Sequence, residues 1–295
     1  MVCRMGPLHA AANPECTAAP DQARRRHGRI GEESPGAKKE CELTTVFALE
    51  RKGTEPAIVF VHGFVQSSAY WGPSLDRVAE HGIRGFAIDL PGFGASAGVR
   101  GPYTMAGLAD ALALQLDSWR VRQVALVGGS MGGVVAQHFT LRHTERVERL
   151  LLVATGGFTP NVALALEKAD ALGAAKWNEE TVTPVVDGFF HRRPSASVLA
   201  EYRQIAMSAS QKAAVEAARS NATNRTFDQL ASIRVPTMII QGRYDRARTP
   251  EHGAEMRDRI AGSILAVIED AGHTPQLEQP QLFHEVALPF LLQQR

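Results

Sequence analysis

A short apolar run that breaks abruptly into glycine is the tightest constraint on this chain. Val124-Ala125-Leu126-Val127 has the density of a strand buried on both faces. From Met131 onward the apolar residues return with helical spacing, at Val134, Val135, Phe139 and Leu141. Between the two lies Gly128-Gly129-Ser130-Met131-Gly132, a G-x-S-x-G signature. Turning from strand to helix within one residue forces that residue into a sparsely populated backbone conformation. The neighbouring glycines lack the Cβ atoms that would hold strand and helix apart. The Ser130 hydroxyl then projects from the end of a sheet, beside the N–H groups and partial positive charge of a helix start. The spacing is neither G-x-G-x-x-G nor that of a P-loop, so a nucleotide-phosphate cradle is the poorer reading. A nucleophilic serine is the expectation.

The rest of the body supplies a setting for such a turn. Thr44–Leu49 reads as a first strand and Ala57–Val61 as a buried one running into His62-Gly63-Phe64. A helical stretch follows over Ser67–Glu80, then a strand over Arg84–Leu90, a helix over Met105–Trp119, and a strand over Leu150–Ala154. Strands that are continuous apolar runs, alternating with helices, predict a parallel sheet covered on both faces. From Gly157 to Gln229 this rhythm stops, and only Ala-rich helical patches are found. It resumes with a strand at Pro236–Gly242, a helix near Pro250–Ile260, a strand at Ile264–Ile268 and a last helix over Pro280–Leu292. An interval of about 70 residues without a strand predicts a helical lid or cap rather than a structureless loop.

Composition narrows the field. Over 295 residues, 32 basic and 31 acidic side chains leave a net charge of +1, which offers no basic excess for nucleic acid. No apolar run reaches the length of a membrane span. All three cysteines, Cys3, Cys16 and Cys41, precede the body, so no disulfide framework is expected and a cytoplasmic, reducing setting fits. Residues 1–42 are rich in Ala, Pro, Gly and charge without apolar periodicity. Arg24-Arg25-Arg26 has no apolar stretch beside it to make a secretory signal, and this segment reads as a disordered extension.

A serine hydroxyl needs a base within hydrogen-bond reach, and ten histidines compete for that part. His138 and His143 lie on the helix leading away from Ser130. His81, His191, His252 and His284 fall on or between surface helices, and His9 and His27 belong to the extension. His273 alone follows a strand closely, after Glu269-Asp270-Ala271-Gly272, which puts it at the carboxyl edge where open parallel sheets do their chemistry. Asp245, in Gly242-Arg243-Tyr244-Asp245, shares that edge and is the candidate to orient His273. Asp270 and Asp89 read as turn-forming carboxylates. The backbone N–H of Met131, next to the serine, is one candidate oxyanion donor, and Phe64 in the His62-Gly63-Phe64 loop supplies the other. His62 itself reads as structural.

Taken together, His62-Gly63-Phe64, Asp89-Leu-Pro-Gly-Phe-Gly-Ala-Ser96, Gly128-Gly-Ser-Met-Gly-Gly133, Gly242-Arg-Tyr-Asp245 and Ala271-Gly-His273 resemble the α/β-hydrolase fold family, in family order, across residues 55 to 290. The resemblance implies a mostly parallel sheet flanked by helices, with a helical lid inserted after the sixth strand. The implied division is core over 43–156 and 231–295 with a lid over 157–230. It also implies a Ser130–His273–Asp245 triad that forms an acyl-enzyme with a small, largely apolar ester or lactone and requires no metal or cofactor. Serine at the elbow argues against dehalogenase and epoxide hydrolase chemistry. Thr274 stands where carbon–carbon bond hydrolases of the family often carry tryptophan, which lowers that reading without removing it; it and the perhydrolase reading are the alternatives on the same triad. A ligand-binding signalling protein on the same fold is a further one. Tyr70, Trp71, Phe158, Trp177, Phe189 and Phe190 are candidates to line an apolar pocket, or else simply to pack the lid.

Overall fold

A computed structural model describes residues 46–293 of the chain. The extension expected over 1–42, the three cysteines and the start of the first expected strand lie outside the described residues.

Seven strands form one sheet: β1 (Ala48–Arg51), β2 (Thr54–Val61), β3 (Ile83–Ile88), β4 (Val124–Gly129), β5 (Val147–Val153), β6 (Thr237–Gly242) and β7 (Ile264–Ile268). Their order is β1-β3-β2-β4-β5-β6-β7, with β1 antiparallel to β3 and every other pair parallel. The apolar runs are continuous because both faces are covered. Along β2, Ala57, Val59 and Val61 enter one core while Ile58 and Phe60 enter the other, and all five are essentially inaccessible. The first core is closed by α2 (Met105–Ser118), α3 (Met131–Arg142) and α8 (Pro250–Arg259), through residues such as Leu108, Leu112, Val135 and Met256. The second is closed by α1 (Gly72–Glu80) and the C-terminal helix over Pro280–Leu291, through Leu75, Val78, Phe283 and Leu288. Burying one such side chain contributes roughly 1.5–3 kcal/mol, so strand positions facing either way are held to apolar residues.

The chain runs from β2 outward to β3 and then returns to the other side of β2 to lay down β4. The crevice between the carboxyl ends of β2 and β4 is therefore the point at which strand order reverses, where ligands bind in open parallel sheets. The loop after β2 and the turn after β4 both open there.

Between β5 and β6 the chain makes α4 (Val162–Ala174), α5 (Glu179–Asp187), α6 (Ala196–Ser208), α7 (Gln211–Ala222) and a 3-10 run over Thr226–Ser232. Asn161, Asn178, Ser195 and Ser210 cap the four helices through side-chain oxygens, each satisfying a backbone N–H that has no intrahelical partner. The insertion thus follows the fifth described strand rather than the sixth. The sheet opens with β1 alone among the described residues. The stretch expected as one helix over Ser67–Glu80 divides into a 3-10 turn, Ser68–Trp71, and α1. After β7 a single-turn helix, α9 (Pro275–Glu278), precedes α10 (Pro280–Leu291). No helix among the described residues is long and apolar enough to cross a membrane.

Four histidines, His62, His138, His252 and His284, are built into this framework with their affinity for protons lowered, in each case first by burial. Burial depresses His62 against the opposing pull of Asp89, and it depresses His138 and His284, where Arg142 and Arg77 add to the effect. His284 Nε2 lies 3.0 Å from Ser74 Oγ, joining α10 to α1, and His138 Nε2 lies 2.9 Å from Asn224 Oδ1, joining α3 to the end of the insertion. Unfolding returns these rings to water, where they take up protons from about pH 6.5 downward. The folded chain takes the same protons only at lower pH, so in that window the unfolded state holds more of them and stability falls as pH falls. The thermal midpoint should therefore drop between pH 7 and pH 5 in a buffer series followed by calorimetry. A flat midpoint across that range would show that these rings are not held neutral by the fold.

Candidate active site

Ser130 occupies the turn from β4 into α3 with φ 51° and ψ −118°. A β-carbon-bearing residue rarely adopts this conformation, at a cost of order 1–3 kcal/mol, and it persists only where its surroundings over-determine it. They do so here. Ser130 N–H donates to the Val153 carbonyl at 2.8 Å, and its own carbonyl accepts from Thr155 Oγ1 at 2.6 Å. Gln241 Nε2 in turn donates to the Thr155 carbonyl at 2.8 Å. The ends of β4, β5 and β6 thus brace one residue. The glycines are needed sterically. A Cβ at Gly128 would sit 2.5 Å from the Gly132 carbonyl oxygen, and one at Gly132 would collide with the carbonyls of Val61 and His62.

The structure brings Ser130, His273 and Asp245 together at the carboxyl edge of the sheet. Ser130 Oγ lies 2.7 Å from His273 Nε2, and His273 Nδ1 lies 2.7 Å from Asp245 Oδ2. The other Asp245 oxygen accepts from the amides of Ala247 and Arg248 at 2.8 and 2.9 Å. Asp245 is 4% and His273 8% exposed, so a carboxylate in near-dry surroundings faces the ring. An ionised carboxylate only accepts. Nδ1 must then carry the proton, which leaves Nε2 free to take one from the serine. This is the geometry of general-base activation.

The loop after β2 forms the opposite wall. A methyl group on Gly63 would lie 3.1 Å from Ser130 Cβ, so the Phe64 amide follows directly on the residue that flanks the serine. Met131 opens α3, where the N–H groups have no intrahelical acceptor. The loop is held from behind. Gln66 Oε1 accepts from Gly63 N–H at 2.8 Å, and His62 bridges Gly63 O at 2.7 Å to the Leu90 amide at 3.0 Å. Because Leu90 N–H must donate to Nε2, His62 carries its proton on Nδ1 and is neutral. Asp89, 2% exposed, ties the same loop to the next one by accepting from Ser68 N–H at 2.6 Å and Ala95 N–H at 2.7 Å.

The expected pocket aromatics part company. Phe189 and Phe190 stand with the histidine. The Phe189 ring lies 5.8 Å from His273, and both phenylalanines line a cavity of about 170 Å³ that also reaches His191, Tyr244 and Gly272. Tyr70 is buried in the first core with its ring 4.2 Å from that of Tyr202 on α6, and its hydroxyl is driven well above its ordinary pKa by burial. Trp71 is a correction. The 3-10 turn puts it in the opposite core from its neighbour, 5.3 Å from Phe60 and 6.2 Å from Phe283, fully buried beneath Gly129 at the end of β4. Phe158 packs on Phe227 and His252, and Trp177 donates its indole N–H to the Met207 carbonyl at 3.1 Å within the insertion. Among the described residues no group of three His, Cys, Asp or Glu side chains could hold a metal ion. Sequence reading missed Thr155, Gln241 and Gln66, whose polar side chains brace the site from non-motif positions. It also missed Glu278, five residues beyond His273.

The fold, the serine turn and this arrangement define a class. The chain belongs to the alpha/beta hydrolase family, whose model matches residues 58–286. It is 28% identical over 256 residues to a pimeloyl-[acyl-carrier protein] methyl ester esterase of Aeromonas salmonicida, covering 83% of this chain and 98% of that protein. It is 30% identical over 248 residues to a 2-hydroxy-6-oxononadienedioate/2-hydroxy-6-oxononatrienedioate hydrolase of Klebsiella pneumoniae, covering 79% of this chain and 86% of that one. Among solved structures, a hydrolase from Pseudomonas aeruginosa superposes with a TM-score of 0.76 at 27% identity, over 83% of this chain and 93% of its own.

The turn itself can be tested without substrate. Gly132→Ala should destabilise the protein by about 1–3 kcal/mol or more, since the added methyl meets backbone carbonyls that cannot swing aside. Urea denaturation reads this directly. An unchanged midpoint would mean that strand and helix approach less closely than described.

Proposed function

We propose that this protein is a serine hydrolase that cleaves a carboxylic ester or lactone of a small, largely apolar substrate through an acyl-enzyme on Ser130. The observation that carries the reading is the unbroken relay from Ser130 Oγ through His273 to the buried Asp245, each step at 2.7 Å. In the first half-reaction the Ser130 proton passes to His273 Nε2 as Oγ bonds to the carbonyl carbon. The carbonyl π pair moves to oxygen, which the Phe64 and Met131 amides receive. The tetrahedral species collapses, the carbon–oxygen bond to the alcohol breaks, and His273 returns its proton to the departing oxygen. Water then gives a proton to the same nitrogen and attacks the acyl carbon, and the acid leaves as that proton goes back to Oγ. Asp245 holds the tautomer and offsets the imidazolium charge throughout.

The division into a core over 43–156 and 231–295 with a lid over 157–230 belongs to this reading. The insertion supplies Phe189 beside the base and Phe190 next to it, which supports an apolar acyl or alkyl group, while Asp187 and Arg246 line the same cavity and would face a polar end of the substrate. Cleavage of a carbon–carbon bond in a vinylogous diketone is the second reading. Similarity to the dienedioate hydrolase favours it, and Thr274 in place of an aromatic after His273 disfavours it.

Ser130→Ala and His273→Ala should each lower turnover of a short p-nitrophenyl ester at least about a thousandfold, and Asp245→Asn somewhat less, as loss of triad members does in other serine hydrolases. Steady-state assays on aliphatic esters, lactones and vinylogous diketones check both the residues and the bond. Multiple turnovers by Ser130→Ala at the wild-type rate would defeat the mechanism. Activity confined to diketones would select the second reading.

A further inference from the structure

Outside the relay, the densest polar knot in the described structure is a single carboxylate, Glu278, at the end of the one-turn helix α9. Its Oε1 accepts from three donors of the histidine loop: Gly272 N–H at 2.9 Å, Thr274 N–H at 3.2 Å and Thr274 Oγ–H at 3.2 Å. Its Oε2 accepts from two consecutive amides of the insertion, His191 N–H at 2.7 Å and Arg192 N–H at 2.9 Å. The residues on either side of His273 are therefore gripped by one oxygen, and a segment more than eighty residues earlier is gripped by the other. That segment, 189–192, already lies on the base. His273 N–H donates to the Phe189 carbonyl at 2.9 Å and the Phe189 ring flanks the imidazole. Two outer contacts lie alongside, His191 stacked on Tyr244 at 4.1 Å and Arg192 paired with Asp270 at 2.7 Å.

We infer that Glu278 is a positioning residue for the base: it fixes the backbone on both sides of His273 and locks the overlying strap of the insertion onto it, so that the imidazole is aimed and covered as one unit. The inference rests on the proposed role of His273. The chemistry requires a carboxylate in particular. Two oxygens with several lone pairs can accept from five donors at once, whereas an amide offers one acceptor oxygen and turns an NH2 group toward whichever set of N–H donors it faces. Glu278→Gln keeps shape and volume but must release either the strap or the histidine loop. A base displaced by a fraction of an ångström still binds substrate but transfers protons poorly, and misplacement of about 1 Å costs on the order of a hundredfold.

The test labels the full-length protein with a fluorophosphonate, which reacts with an activated serine without needing the natural substrate. Its rate constant and its end point are read separately. For Glu278→Gln the labelling rate constant should fall about 10- to 100-fold while the end point stays at one label per chain, blocked by Ser130→Ala in the same background. With a p-nitrophenyl ester, kcat should fall by a similar factor with KM changed less than about threefold. A carboxylate that only stabilised the fold would lower the labelled fraction and leave the rate constant alone, and that result would overturn the inference. A wild-type protein that takes no label at Ser130 would overturn the proposed function itself, whereas a labelled wild type matched in rate by Glu278→Gln overturns this inference alone. Should Glu278→Gln not fold, Thr274→Val removes one donor from the same oxygen. A rate constant lowered by about threefold supports the inference and an unchanged one overturns it.

Discussion

Everything in this molecule that bears on chemistry depends on a steric constraint: β4 and α3 come so close that one residue must make the whole turn between them. Ser130 pays for that closeness with a left-handed backbone, and the contact between Gly128 and Gly132 is what makes it possible. The constraint fixes where the hydroxyl points more firmly than any side-chain interaction could, because a turn clamped by the ends of three strands has no alternative rotation of the backbone. The aim of the serine is thus a property of the sheet. His273 and Asp245 need only be delivered to the same edge by β6 and β7, each on a short loop, and the parallel order of the strands puts all three loops on one side.

This division of labour explains what could be read from the chain beforehand. Strands β2, β4 and β6 are legible because burial on both faces demands unbroken apolar runs, and the reading of a mostly parallel sheet flanked by helices holds. The serine, histidine and aspartate were singled out by their places just beyond strands, and the structure juxtaposes them. The insertion was legible only as helical. Within α4 just one residue, Ala169, is fully buried, so its sequence has little periodicity to fix boundaries. Trp71 shows the limit most plainly. Beside Tyr70 in sequence and near the oxyanion loop, it invited assignment to the pocket. A 3-10 turn rotates successive residues by about 120°, enough to send Tyr70 into one core and Trp71 into the other.

What the chain conceals are contacts made by backbone groups. The Phe189 carbonyl on the His273 amide and the His191 and Arg192 amides on Glu278 leave no mark in residue type on the insertion side, since any residue carries those groups. Only the carboxylate end is sequence-encoded, and a lone glutamate on a short helix looks like surface. Gln66, Thr155 and Gln241 share this character: each satisfies a loop amide or carbonyl at the edge of the sheet, and each sits where a polar residue would excite no attention.

The site is consequently built from two kinds of support with different freedoms. The serine is set by strands and cannot move without unfolding the sheet. His273 is set by loops and by a segment of the insertion, held through hydrogen bonds that each contribute about a kilocalorie per mole and can open singly. A hydrolase of this design must admit substrate somewhere, and the strands offer no give. Any give at this edge therefore falls on the loops and on the insertion segment 189–192 rather than on the strands.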